Sequence, residues 1–165
     1  MGHREHKAAA PSNVTCLVVT VSDTRTEAED ASGRLIQKLL IDRGHSLAGY
    51  RLIQDEPSLI REVIESAPPE AQVIILNGGT GISSRDTTFE AVSALLEKQI
   101  EGFGELFRFL SFEAIGSPAM LSRATAGTHK GKILFSLPGS EAAVRLAMEK
   151  LILPELGHLV GQLAG

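Results

Sequence analysis

The sequence predicts a three-layer α/β/α sandwich built on a doubly wound, mostly parallel sheet, and three observations predict it. Short, nearly continuous apolar runs alternate with stretches whose apolar residues recur at three- and four-residue spacing, the order that βαβ units require. The runs lack polar alternation, as in strands covered by helices on both faces. Gly and Pro fall between the two kinds of segment, where turns and helix ends need them. A length of 165 residues suits one domain with a single layered core.

Val14 to Val21 reads as a first buried strand, ending at Ser22. The polar stretch from Asp23 to Ser32 leads into a helix whose face carries Leu35, Ile36, Leu39 and Leu40 and which stops at Gly44. Ser46 to Ile53 is a second strand. Pro57 opens a helix bearing Leu59, Ile60, Val63 and Ile64, which Pro68-Pro69 ends. Val73 to Leu76 is a third strand, running directly into Asn77-Gly78-Gly79-Thr80-Gly81 and a helix with Phe89, Val92, Leu95 and Leu96. Phe103 to Ile115 is expected as a helix and Met120 to Ala126 as a short link. Ile133 to Leu137 is the last strand, and after Pro138-Gly139 a final helix runs from Glu141 to about Leu153. Residues 14–165 therefore form one domain, preceded by a flexible tail, Met1 to Asn13. Ligands of such folds bind beyond the carboxyl ends of the strands.

Hydrophobic residues make up 43% and charged residues 22%, values of an ordinary globular chain. With 16 Lys+Arg against 20 Asp+Glu the net charge is -4, so no electrostatic footprint for nucleic acid or an anionic membrane is expected. Cys16 is the only cysteine, which rules out an intrachain disulfide and thiolate metal clusters. The polar first residues carry no signal-peptide core and no run is long enough to span a bilayer, so a cytoplasmic setting is expected.

Gly78, Gly79 and Gly81 sit between a strand and a helix, where bare backbone N–H groups approach an anion and the helix start adds positive partial charge. The segment reads either as a phosphate-binding loop or as a tight turn packing strand on helix. It lacks the Lys-Ser/Thr of a P-loop and the third glycine of the dinucleotide fingerprint. Asp86 is placed to cap the following helix or to hold a metal near bound phosphate. Asp55 and Glu56 after the second strand, and Ser22-Asp23 after the first, fall on the same sheet edge. Mg²⁺ takes one or two carboxylates plus phosphate oxygens, which this edge offers; loop Asp residues also serve simply as turn formers. Ser122-Arg123 and Pro138-Gly139-Ser140 mark further turns there, Ser140 placed to cap the last helix and Arg123 to fork onto phosphate. The histidines His3, His6, His45, His129 and His158 show no zinc-enzyme spacing, and no serine lies in a nucleophile elbow. Phe103, Phe107, Phe109 and Phe112 read equally as core or as an apolar surface for self-association.

Thr20-Val21-Ser22-Asp23-Thr24, Gly78-Gly79-Thr80-Gly81 with Arg85-Asp86, Leu121-Ser122-Arg123-Ala124 and Leu137-Pro138-Gly139-Ser140, in that order, resemble the MogA/MoaB molybdenum-cofactor biosynthesis family, which includes the plant and gephyrin G domains. The likeness covers nearly everything after Asn13. The segment Glu101 to Arg108 with Ser111-Phe112-Glu113 is most similar to the MoaB branch. The resemblance implies Mg-ATP-dependent adenylylation of molybdopterin: the terminal phosphate of molybdopterin attacks the α-phosphorus of ATP and pyrophosphate leaves. It also implies that Asp55 and Asp86 are the catalytic carboxylates and hold Mg²⁺. The Gly78 to Gly81 amides, with Ser22, Asp23, Ser122, Arg123, Pro138, Gly139 and Ser140, would bind molybdopterin and ATP. Two turns differ from the adenylylating branch: Pro138-Gly139-Ser140-Glu141 replaces Pro-Gly-Asn-Pro, and Thr88-Phe89-Glu90 replaces Thr-Pro-Glu. A non-catalytic molybdopterin carrier or scaffold is the alternative, and a generic nucleotide-binding regulator a third reading. Homo-oligomers, trimers or hexamers, and contacts with other cofactor-biosynthesis proteins are implied in the same way.

Overall fold

A computed structural model describes residues 10–165. The chain runs β1 (Thr15–Val21), α1 (Ala31–Asp42), β2 (Ser46–Ile53), α2 (Pro57–Glu65), β3 (Val73–Asn77), α3 (Thr88–Leu95), β4 (Lys98–Gln99), α4 (Glu101–Ile115), β5 (Thr125–His129), β6 (Lys132–Leu137), α5 (Glu141–Ala147) and α6 (Leu153–Ala164). Short 3₁₀ turns precede α1 and follow α4, and a π-helical turn, Met148–Ile152, joins α5 to α6.

The six strands form one sheet in the order β2-β1-β3-β6-β5-β4. β1 pairs in parallel with β2 and β3, and β3 with β6; β5 is antiparallel to both β6 and β4. The sheet is thus mixed, with a parallel heart and an antiparallel edge. Strand alternation divides the core into two halves. Cys16, Val18, Val73, Ile75, Phe135 and Leu137 face one side, where Ile36 and Leu40 of α1, Phe103 and Phe107 of α4, Val144 and Leu156 pack. Leu17, Val19, Val21, Ile74, Leu76 and Leu134 face the other, against Ile60 and Ile64 of α2 and Val92 of α3. Each such fully buried side chain contributes about 1.5–3 kcal/mol. Burial pushes the Cys16 thiol up to about 12, so it packs as a small apolar group.

α1 and α2 lie on opposite faces because the chain leaves β1 for β2 on one side and then crosses to β3 on the other. This reversal between β1 and β3 opens a crevice at their carboxyl ends.

Three expectations change. The link expected from Met120 to Ala126 contains a 3₁₀ turn, Ser117–Leu121, and the start of β5. The final helix does not end near Leu153 but continues to Ala164, the π turn absorbing the hydrogen bond that Pro154 cannot donate. The tail expected from Met1 to Asn13 lies outside the described residues as far as residue 9. Its last part is held: Pro11 packs on Gly157 of α6, Asn13 donates to the Gly44 carbonyl at 2.8 Å, and the Val14 N–H reaches His45 Nδ1 at 3.1 Å. Of the phenylalanines, Phe103 and Phe107 are core, whereas Phe109 and Phe112 are exposed. Among the described residues no helix is long and apolar enough to cross a membrane.

Candidate functional site

A cleft of about 540 Å³ opens where β1, β2, β3 and β6 end. Ser22, Asp23, Asp55, Gly78, Gly79, Thr80, Gly81, Asp86, Ser122, Pro138, Gly139 and Ser140 all line it. The sheet brings these segments together directly: the Ser22 N–H bonds the Ile53 carbonyl and the Gly78 N–H the Leu137 carbonyl, each at 2.9 Å.

The glycine loop owes its form to crowding. Gly78 (φ +100°) lies against the Val21 carbonyl, and Gly79 (φ +69°) sits where any Cβ would overlap Thr88 Oγ1 and Asp55 Oδ2. Only glycine adopts such backbone at little cost. Gly139 abuts Gly78, so two bare backbones meet at one end of the cleft.

The carboxylates differ in their surroundings. Asp23 lies under the Arg85 fork, with Nε to Oδ2 at 3.0 Å and Nη2 to Oδ1 at 3.2 Å, and it accepts the Asp55 N–H at 3.0 Å. Those bonds hold its carboxyl below the usual range. The same Arg85 reaches Glu56 at 2.9 Å. Asp55 is only 4% exposed, and its Oδ1 accepts the Thr87 N–H and hydroxyl. Burial raises its pKa, and the like charges of Asp23 and Asp86 add to the rise against the Thr87 bonds. Asp86 accepts the Ser83 N–H at 3.1 Å and stands against Gly81. It does not cap α3; Thr87 occupies the N-cap position. Neither Asp55 nor Asp86 has a salt-bridge partner among the described residues.

Arg123 departs from expectation. It stands outside the cleft lining, donating Nε to the Thr80 carbonyl at 3.0 Å and Nη2 to the Gly81 carbonyl, while Nη1 pairs with Glu90. Its guanidinium also covers the Phe89 ring at 5.0 Å. Its donors are thus committed to the loop carbonyls and Glu90. Ser140 caps α5 through the Ala143 N–H at 3.2 Å, as expected.

Two features were missed. Arg25 and Arg85 line the cleft, and Phe107, Ile115, Pro118, Ala119 and Leu121, with Ser111 among them, form a mostly apolar part of its wall. Arg85 lay within a quoted motif, but its partners on two other loops are visible only in the fold. Nothing local in α4 marks which of its residues look into the cleft.

The donors suit a hard divalent cation. Asp55 and Asp86 offer anionic oxygens without competing cations, and no group of three or more His, Cys, Asp or Glu encloses a metal among the described residues.

Residues 17–158 match the family model described as a probable molybdopterin binding domain. The chain is 53% identical to molybdenum cofactor biosynthesis protein B of Bacillus cereus, over 99% of this chain and 98% of that one. A crystal structure of a molybdenum cofactor biosynthesis protein B superposes with a TM-score of 0.91 at 53% identity, over 94% and 98% of the two chains. The tungsten cofactor synthesizing protein MoaB from Pyrococcus furiosus follows with a TM-score of 0.86 at 35% identity, over 94% and 100%. The four loop motifs, the sheet order and these likenesses agree, and the chain belongs to the MoaB/MogA family of molybdopterin-binding proteins.

Proposed function

We propose that this protein acts in molybdenum cofactor biosynthesis by binding molybdopterin and adenylylating it with Mg-ATP. The observation that carries the reading is Asp55: a buried carboxylate without a counter-cation, close enough to Asp86 to feel its charge, beside a loop too tight for any side chain. Two anionic groups left uncompensated in a cleft are a cost unless a cation joins them. Asp55 and Asp86 would hold Mg²⁺, which on binding offsets the negative charge of the triphosphate.

The rest is the work of the chain. The Gly79 to Gly81 backbone would receive phosphate oxygens, the Thr80 and Gly81 carbonyls being tied back by Arg123 and the Gly78 N–H already bonded to Leu137. The phosphate oxygen of molybdopterin forms a bond to the α-phosphorus of ATP, the bond from that phosphorus to the β-bridging oxygen breaks, and pyrophosphate departs with its electron pair. Positioning and charge compensation supply most of what such a transfer needs. The mostly apolar wall from Phe107 to Leu121 would border the reacting groups.

A carrier that binds pterin without turnover is favoured by one observation: the Ser140 hydroxyl serves the Ala143 N–H at a turn where the adenylylating branch has another residue. Pyrophosphate release from Mg-ATP with fresh molybdopterin decides between them. Release by the parent that falls about a hundredfold or more in Asp55→Asn and Asp86→Asn, about 2.7 kcal/mol of transition-state stabilisation, supports the transferase. Tight pterin binding without release overturns it.

A further inference from the structure

We propose that Arg25 is an anion anchor of the cleft, taking a phosphate group of the bound substrate at the Gly78–Gly139 end. Five charged side chains line the cleft: Asp23, Arg25, Asp55, Arg85 and Asp86. Arg85 is committed to Asp23 and Glu56. Arg25 is the other cation, and its side chain remains one-third exposed.

Its protein partners aim it without saturating it. Nη1 lies 3.5 Å from Asp30 Oδ1 and Nη2 donates to the Gly139 carbonyl at 3.1 Å. Among the described residues these use two of its N–H groups, leaving about three of a guanidinium's five for a ligand. Asp30 is itself fixed: it is buried, accepts the Gly33 N–H at 3.0 Å and is bonded by the Tyr50 hydroxyl at 2.5 Å. A carboxylate so held orients the guanidinium in advance, which lowers the ordering cost of binding. Ser32 Oγ donates to the same Gly139 carbonyl at 2.6 Å, so the turn beside Arg25 is also fixed.

The charges order the cleft. Asp55 and Asp86 stand at Gly79 and Gly81, whereas Arg25 stands at Gly139, which touches Gly78. A phosphate group beside Asp55 and Asp86 is repelled unless a cation intervenes, whereas beside Arg25 it meets a fork and bare backbone. The anion site rests on this geometry alone; only the phosphate's carrier, pterin or nucleotide, rests on the reading above.

The test is equilibrium binding in EDTA, with inorganic pyrophosphate, ATP and molybdopterin as separate probes. The parent is expected to bind pyrophosphate with an affinity that falls as salt rises. Arg25→Gln should weaken binding about tenfold or more. Arg25→Lys, which keeps the charge beside Asp30 and the fold with it, should weaken it by about threefold because the fork is lost. Asp86→Asn, removing a like charge, should not weaken it. Loss confined to molybdopterin assigns Arg25 to the pterin phosphate, and loss confined to ATP assigns it to the nucleotide; both support the site. A parent that binds no probe in EDTA overturns it, as does parent-like affinity for all three in folded Arg25→Gln or, should that variant not fold, in Arg25→Lys. Failure of pyrophosphate release with the anion site intact would overturn only the transferase reading.

Discussion

Asp55 Oδ1 accepts both the backbone N–H of Thr87, at 3.1 Å, and its hydroxyl, at 2.6 Å, so that a buried carboxylate beyond β2 anchors the start of α3. This contact spans 32 residues and ties the segment after β2 to the start of α3, beside the glycine loop. Thr87→Val keeps the shape and removes the hydroxyl. A buried charged acceptor then keeps the backbone N–H and loses the shorter of its two bonds, and stability should fall by about 1–3 kcal/mol, measured by urea unfolding. An unchanged midpoint would mean that Thr87 contributes shape alone.

The same carboxylate sets a pH dependence. Asp55 titrates above its ordinary value of 3.8 in the folded state, chiefly through burial. The folded chain therefore holds this proton more tightly than the unfolded chain, and the group's contribution to stability falls as pH rises from that value through the folded-state pKa. Asparagine at this position retains an acceptor for Thr87 and no longer titrates. The stability of Asp55→Asn relative to the parent should accordingly rise with pH across that window and level off above it. Subtracting the two curves cancels Asp30, whose lowered pKa acts in the opposite direction, and leaves from Asp23 only its charge coupling to Asp55. Parallel curves from acid to neutral pH would contradict a raised Asp55.

Arg123 is expected to act through the loop it holds. Arg123→Met frees the Thr80 and Gly81 carbonyls and leaves Glu90 unpaired. Glu90 is largely exposed and its pairing contributes little, about 1 kcal/mol or less. The loop bonds weigh more, so hydrogen exchange of residues 80–86 should quicken while that of β1 and β3 stays as in the parent. Pyrophosphate release should fall about tenfold or more through poorer positioning. Unaltered exchange in the loop would assign the guanidinium to surface packing on Phe89.

The parallel heart of the fold was legible because β1, β2 and β3 are apolar runs and α1 and α2 carry plain 3–4 spacing; the second strand matches Ser46–Ile53 end to end. β5 was not, because Thr125-Ala126-Gly127-Thr128-His129 has little apolar content and is buried by its neighbours. The continuation through Pro154 depends on a π turn, a backbone adjustment with no residue signature of its own. Within the cleft, the loop residues were legible because strand ends gather on one edge whatever the helices do. Arg25 and Arg123 show the limit. Both are arginines beside a loop motif, yet one faces the cleft and the other turns behind the loop, a choice made for Arg25 by Asp30, five residues on, and for Arg123 by Glu90 and the loop carbonyls.

Gly79 and Gly44 separate backbone strain from crowding, since both have positive φ, +69° and +81°, but only Gly79 is enclosed. At Gly44 a methyl group meets nothing within 4 Å, so Gly44→Ala should cost only the left-handed conformation, about 1 kcal/mol. At Gly79 the methyl group overlaps Thr88 Oγ1 and Asp55 Oδ2, so the same strain is joined by displacement of a buried carboxylate. Gly79→Ala should therefore cost about 2–4 kcal/mol and abolish pyrophosphate release, while Gly44→Ala releases it at the parent rate. Thr88→Ala in the Gly79→Ala background removes one of the two overlaps and leaves the one on Asp55. Recovery of stability without recovery of turnover in that double variant would locate the functional requirement at Asp55. Recovery of both would show that the loop needs room rather than an undisturbed carboxylate.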